Sequence, residues 1–211
     1  AATVLGWFGL PPDPALVGDR WRDMWIRRLE ETPNLGARWL GHQHRNDYWK
    51  HGSICEDYDA IKAAVLSVGG WHDGYRNTVA HLVENLPGPV KGIVGPRNHK
   101  YPHLARPGPT IHFLGEMKRW FDRWLKGDPN GVENDPAYRA YLMDGIAPAV
   151  DYDTRPGRWV AEAEWPSRSI ARHVLHLSER RIGASPAAFS RVVEPDLFCG
   201  LGTGEYFPCG F

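Results

Sequence analysis

The sequence predicts an α/β fold. Two short apolar runs closed by glycine, a helical stripe between them, and a strongly amphipathic segment after them carry that expectation. The first run is Ala63-Ala64-Val65-Leu66-Ser67-Val68, closed by Gly69-Gly70. The second is Val90-Lys91-Gly92-Ile93-Val94, closed by Gly95-Pro96. Each suits a short buried strand. Between them Tyr75, Val79, Leu82, Val83 and Leu86 mark one helix face, which stops at Pro87-Gly88. Strand, helix and strand with short links read as one βαβ unit, hence two parallel strands and a right-handed crossover.

The remaining elements follow in chain order. Residues 19–31 read as an amphipathic helix, with Asp19 as N-cap and Trp21, Met24, Trp25 and Leu29 at helical spacing. Pro33-Asn34-Leu35-Gly36 ends it. Residues 37–60, rich in His, Trp and Tyr, read as irregular or short helix. After the βαβ unit comes a loop with Pro102, Pro107, Gly108 and Pro109. Phe113, Leu114, Met117, Trp120, Phe121, Trp124 and Leu125 then form a helical stripe, ended by Gly127, that should cover a sheet face. Composition shifts near residue 150. Ile170–Leu177 reads as a strand, and the Gly-rich remainder fits the start of an all-β module.

Composition excludes several function classes. The 211 residues carry 25 Lys plus Arg against 25 Asp plus Glu, a balance that argues against a nucleic-acid or anionic-membrane binder. Hydrophobic residues make up 42%, enough for a packed core and too many for a disordered chain. Cys55, Cys199 and Cys209 are too few for a disulfide framework. A Cys199–Cys209 bridge would need an oxidising compartment; reduced thiols in the cytoplasm are the favoured reading. No apolar run approaches the roughly 18 residues of a membrane helix, and no signal peptide is visible. The chain opens at Ala1 without Met and closes on Phe211 without a polar tail. These ends lead to the expectation of a fragment or processed chain.

The chemistry concentrates after the two strands. Gly70-Trp71-His72-Asp73-Gly74 follows the first, and Gly95-Pro96-Arg97-Asn98-His99 the second. In a parallel sheet both loops leave the carboxyl edge, where open α/β sheets build their sites, so Asp73 and His99 are placed to meet. A carboxylate followed by a His in chain order is the acid–base half of a Ser-His-Asp triad in an α/β hydrolase. The plainer alternative is that Asp73 caps the next helix and His99 is an ordinary loop residue.

Several stretches resemble the CocE/NonD hydrolases, relatives of cocaine esterase, X-prolyl dipeptidyl-peptidases and α-amino-acid ester hydrolases. They are Gly70–Tyr75, Gly95–Pro102, Pro107-Gly108-Pro109, Asn46–Lys50, Arg119–Gly127 and Pro156–Arg158-Trp159 through Trp165-Pro166. The resemblance runs over most of residues 20–166. It implies the end of a helical cap (1–54), the C-terminal part of an α/β-hydrolase core (55–150) and the start of a C-terminal β jelly roll (151–211). It implies Asp73 as triad acid and His99 as general base, with Trp71 and Trp49 as substrate-binding candidates. One residue departs from the family: Arg97 stands where Trp is usual. Its permanent charge and five donors, so near the imidazole, are expected to lower the His99 pKa or reshape the acyl pocket.

The nucleophile is missing from these motifs. Ser53 lacks framing glycines, and Ser67 has Val65 where the first glycine belongs. Gly183-Ala184-Ser185-Pro186-Ala187 follows His99 and lies in the expected β module, the wrong chain order. The expectation is therefore a serine hydrolase part with Asp and His but no Ser, inactive alone. It would act on a small-molecule ester or amide, with no cofactor or metal and no nucleic-acid or membrane partner. Two rivals stand beside it. His42-x-His44 and the His99, His103 pair suggest zinc, but Pro102 disfavours a helix there and no third ligand is evident. The aromatic richness, with Trp39, Trp49 and Trp71 on looser segments, suits a degenerate homologue that only binds ligand.

Overall fold

A computed structural model describes residues 9–149, 151–186, 188–194 and 196–199. Cys209 lies outside them, so the Cys199–Cys209 alternative does too; Cys55 and Cys199 are free and exposed. The chain divides into two units, residues 1–57 and 58–211.

The first unit is helical. It contains α1 (Pro14–Val17), α2 (Trp21–Glu31), α3 (Leu35–Leu40) and α4 (Asp47–Lys50). Side-chain oxygens open three of them: Asp13 Oδ1 accepts from Ala15 N at 2.8 Å, Asn34 Oδ1 from Ala37 N at 3.0 Å and Asn46 Oδ1 from Tyr48 N at 3.2 Å. Asp19 does not cap α2 as the sequence suggested. A 3-10 turn over Gly18–Arg20 contains it and runs straight into α2, so Asp19 lies inside a continuous helical path. The expected end of α2 holds, with Thr32 as its C-cap.

The second unit is built on a mostly parallel sheet. Its strands are β1 (Val65–Gly70), β2 (Val90–Gly95), β3 (Tyr138–Met143) and β4 (Gly157–Glu162), in that spatial order. β1–β2 and β2–β3 are parallel, and β4 runs antiparallel to β3. The expected βαβ unit is present, with α5 (Arg76–Asn85) between β1 and β2. Val79 and Val83 of α5 join Val94, Tyr138 and Ala140 in the core. The close packing depends on Gly92: a Cβ there would stand 2.7 Å from Val83 and 2.8 Å from Tyr138.

Three elements differ from the sequence reading. β3 was not expected, because Arg139 interrupts its apolar run; the charge is neutralised by a two-pronged pair with Glu116 at 2.8 and 2.9 Å. β4 lies past residue 150 yet is the fourth strand of the same sheet. Only the end of the expected Ile170–Leu177 strand forms a ladder: β5 (His176–Leu177) pairs with β6 (Ile182–Gly183). Ile170, Val174 and Leu175 are exposed and bury no face that would hold them extended.

The second long helix, α6 (Phe113–Lys126), is present and closes on Gly127 at φ +79°. Its stripe is covered only in part. Trp120 is buried, whereas Leu114, Phe121 and Leu125 are exposed. Among the described residues no helix is long and apolar enough to cross a membrane.

Candidate active site

The site loops are fastened to each other before any side chain is considered. Gly70 and Gly95 are register partners at the carboxyl ends of β1 and β2. Just beyond them Trp71 N donates to Gly95 O at 2.9 Å and His72 N to Arg97 O at 3.1 Å. His72 adds its ring, with Nδ1 donating to Pro96 O at 2.6 Å. Asp73 N then donates to Gly70 O at 3.1 Å and Arg76 N to Asp73 O at 3.3 Å, a tight turn that leads into α5. On the other loop, Asn98 N donates to Arg106 O at 2.8 Å, which pins the backbone beside His99.

This scaffold brings Asp73 and His99 together. His99 Nδ1 lies 2.8 Å from Asp73 Oδ2. The other oxygen, Oδ1, accepts from Tyr75 N at 2.8 Å. Asp73 does not cap α5, whose N-cap is Tyr75: one oxygen organises the turn before the helix, and the other holds the imidazole. The Asp73 side chain is largely covered and that of His99 is about half exposed. An Asp–Nδ1 contact of this kind fixes the proton on Nδ1 and gives the basic lone pair to Nε2. It also stabilises the imidazolium formed when Nε2 takes a proton.

Tyr75 differs from its expected place on the buried face of α5. The helix starts one residue later, at Arg76, and the Tyr75 ring stands exposed with its centroid 5.7 Å from that of His99. Arg97 differs more. It is 2% exposed, and neither Nη1 nor Nη2 has a hydrogen-bond partner among the described residues. Burial lowers its pKa to about 10, against the opposing pull of the Asp73 charge. The sequence flagged Arg97 as unusual but gave no sign that its charge is buried.

The other candidates have partners of their own. Trp71 packs against the core cluster and donates its indole N–H to Tyr141 O at 2.7 Å. Trp49 belongs to the first unit, where its indole N–H donates to His42 O at 2.8 Å. Ser53 Oγ donates to Trp49 O at 2.7 Å, Ser67 lies within β1, and Ser185 is exposed beyond β6. His42 stacks on Tyr48 with centroids 4.2 Å apart, and His103 stacks on Phe113 at 5.9 Å. Among the described residues no group of three or more His, Cys, Asp or Glu side chains is arranged to hold a metal ion.

The architecture is a mixed α/β fold with a mostly parallel sheet, and hydrolases of known structure share it. A CocE/NonD family hydrolase from Staphylococcus aureus superposes with a TM-score of 0.57 and 17% identity, covering 78% of this chain and 29% of that one. In sequence, residues 10–101 match the family model of X-Pro dipeptidyl-peptidase (S15 family), a span that includes both Asp73 and His99. Cocaine esterase from Rhodococcus is 24% identical over 173 residues, covering 72% of this chain and 28% of that protein. A Mycobacterium bovis protein named as a candidate serine esterase is 25% identical over 169 residues, covering 76% of this chain and 22% of its own length. In sequence and fold the chain is similar to CocE/NonD-type serine hydrolases. It spans about a quarter of the length of the relatives it matches.

Proposed function

We propose that this chain supplies the acid–base half of a Ser-His-Asp triad that hydrolyses small-molecule esters or amides. The observation that carries the proposal is the 2.8 Å contact between Asp73 Oδ2 and His99 Nδ1 on loops after adjacent parallel strands. Asp73 holds the imidazole tautomer. His99 Nε2 takes the proton of a serine hydroxyl as its oxygen attacks the substrate carbonyl carbon, then gives that proton to the departing alcohol or amine. The resulting acyl-enzyme is cleaved by water, with the same imidazole acting as base.

None of the 211 residues forms a Gly-x-Ser-x-Gly elbow, so the serine is supplied by polypeptide outside this sequence. The expected cap end over 1–54, core over 55–150 and jelly-roll start from 151 belong to this same proposal, with β4 of the last part extending the core sheet. The named relatives support ester or X-Pro peptide substrates as the first classes to assay. p-Nitrophenyl acetate tests the reading: the 211-residue chain gives no turnover above buffer. Turnover by this chain that His99→Ala abolishes would show a nucleophile within it and overturn the division of the triad.

A degenerate, ligand-binding homologue is the second reading, and the buried charge of Arg97 beside the pair is the observation that favours it. An inactive protein despite a complete nucleophile elbow would support it.

A further inference from the structure

Trp71 and His72 bind the loop that ends at His99 through consecutive carbonyls. Trp71 N donates to Gly95 O at 2.9 Å and His72 N to Arg97 O at 3.1 Å. The carbonyl between them belongs to Pro96, and the ring of His72 reaches it, with Nδ1 at 2.6 Å from the oxygen. A carbonyl only accepts, so the proton of this bond sits on Nδ1 of His72. Pro96 is fully buried. A buried carbonyl needs a donor, and the pairing of β2 with β3 does not supply one, since its register runs from Gly92 to Val94.

His72 thus holds two successive peptide groups of the facing loop, one with its main chain and one with its ring. On its own loop it is joined directly to Asp73, whose N donates to Gly70 O at 3.1 Å. On the facing loop Asn98 alone separates Arg97 from His99, and Asn98 N is fixed in turn on Arg106 O at 2.8 Å. Peptide groups are planar, so holding the carbonyls of Pro96 and Arg97 leaves few dihedral angles free before the imidazole. The His99 side chain is about half exposed, so packing alone does not hold it. Its 2.8 Å approach to Asp73 Oδ2 therefore depends on how the two loops are clasped.

We propose that His72 is a positioning residue of the site: its Nδ1–H, by holding the Pro96 carbonyl, sets the approach of His99 to Asp73. The consequence for turnover rests on the reading of that pair as triad base and acid, whereas the geometry is measurable without turnover. A His72 effect on His99 in a protein that never hydrolyses an ester overturns only the hydrolase reading.

Side-chain substitution removes the ring bond and leaves both main-chain bonds in place. His72→Phe keeps the bulk of a ring without the N–H, and His72→Leu is the second variant should it not fold. His72→Asn carries an amide N–H in the place of Nδ1 and can donate to the same carbonyl. Proton NMR of the 211-residue chain reads the exchange of His99 Nδ1–H with water. That exchange is expected to be at least about tenfold faster in folded His72→Phe or His72→Leu than in the native chain, and close to native in His72→Asn. In a polypeptide that also carries the serine, His72→Phe is expected to lower kcat about 10–100-fold with KM nearly unchanged. A residue that served stability alone would shift the urea midpoint and leave the folded-state His99 signal as it was. His99 exchange within about twofold of native in the folded Phe or Leu variant overturns the proposal, as does His72→Asn behaving like His72→Phe. So does a His72 Nδ1–H that, in the native chain, exchanges as fast as that of a solvent-exposed imidazole, a measurement that needs no variant to fold.

Discussion

Asp73 divides its oxygens between structure and chemistry, and that division predicts how substitutions there behave. Asn keeps one acceptor for the Tyr75 amide but cannot hold His99 Nδ1–H as a carboxylate does. Asp73→Asn is expected to leave the α5 turn intact while abolishing the low-field proton NMR signal of His99 Nδ1. In a polypeptide that also carries the serine, it is expected to lower kcat by about 10³–10⁴-fold. Arg97 makes a separate prediction through linkage. Its folded-state pKa lies below its unfolded value, so above about pH 10 the folded chain sheds this proton before the unfolded chain does. The contribution of Arg97 to stability therefore rises with pH in that window and is flat below it. Urea unfolding of the native chain and Arg97→Met should show a constant difference from pH 6 to 9 that shifts in favour of the native chain above pH 10. A difference that varies between pH 6 and 9 would contradict a buried, protonated guanidinium.

The elements explain why those residues meet, and glycine positions show which joints are tight. A Cβ at Gly70 would come within 2.1 Å of Arg97 O, a backbone atom that cannot rotate away. Gly70→Ala is expected to cost about 3 kcal/mol in denaturant unfolding and to weaken the Asp73–His99 contact. Gly127→Ala, at the left-handed end of α6 and with nothing within 4 Å of its Cβ position, should cost only about 1 kcal/mol. The β1–α5–β2 unit was legible in the sequence because buried parallel strands read as apolar runs and glycines close them. β3 was illegible because its Arg139 needs Glu116, 23 residues away in sequence, to neutralise its charge. Topology put Asp73 and His99 at one sheet edge, and it took the family resemblance to single them out as a pair. The buried path of Arg97 was not legible, because it depends on Gly70 and Gly95, whose roles appear only when β1 and β2 are in register.

On the scale of the whole molecule, the described residues leave a sheet edge and apolar helix surface open. Among the described residues β1 has a strand neighbour on one side only, and Leu114, Phe121 and Leu125 of α6 are exposed. Both features favour pairing with another chain. Self-association of the isolated chain, read by light scattering as a rise in mean mass with concentration, is the expected consequence. Under the proposal that Asp73 and His99 serve a serine, that serine lies in polypeptide beyond these 211 residues. The most direct test is p-nitrophenyl acetate hydrolysis by the polypeptide that joins this chain to its nucleophile, with and without His99→Ala. The account predicts an acylation burst and turnover in the native protein, and a loss of at least about 10³-fold in the folded His99→Ala variant. Turnover within tenfold of the native rate after His99→Ala would contradict it.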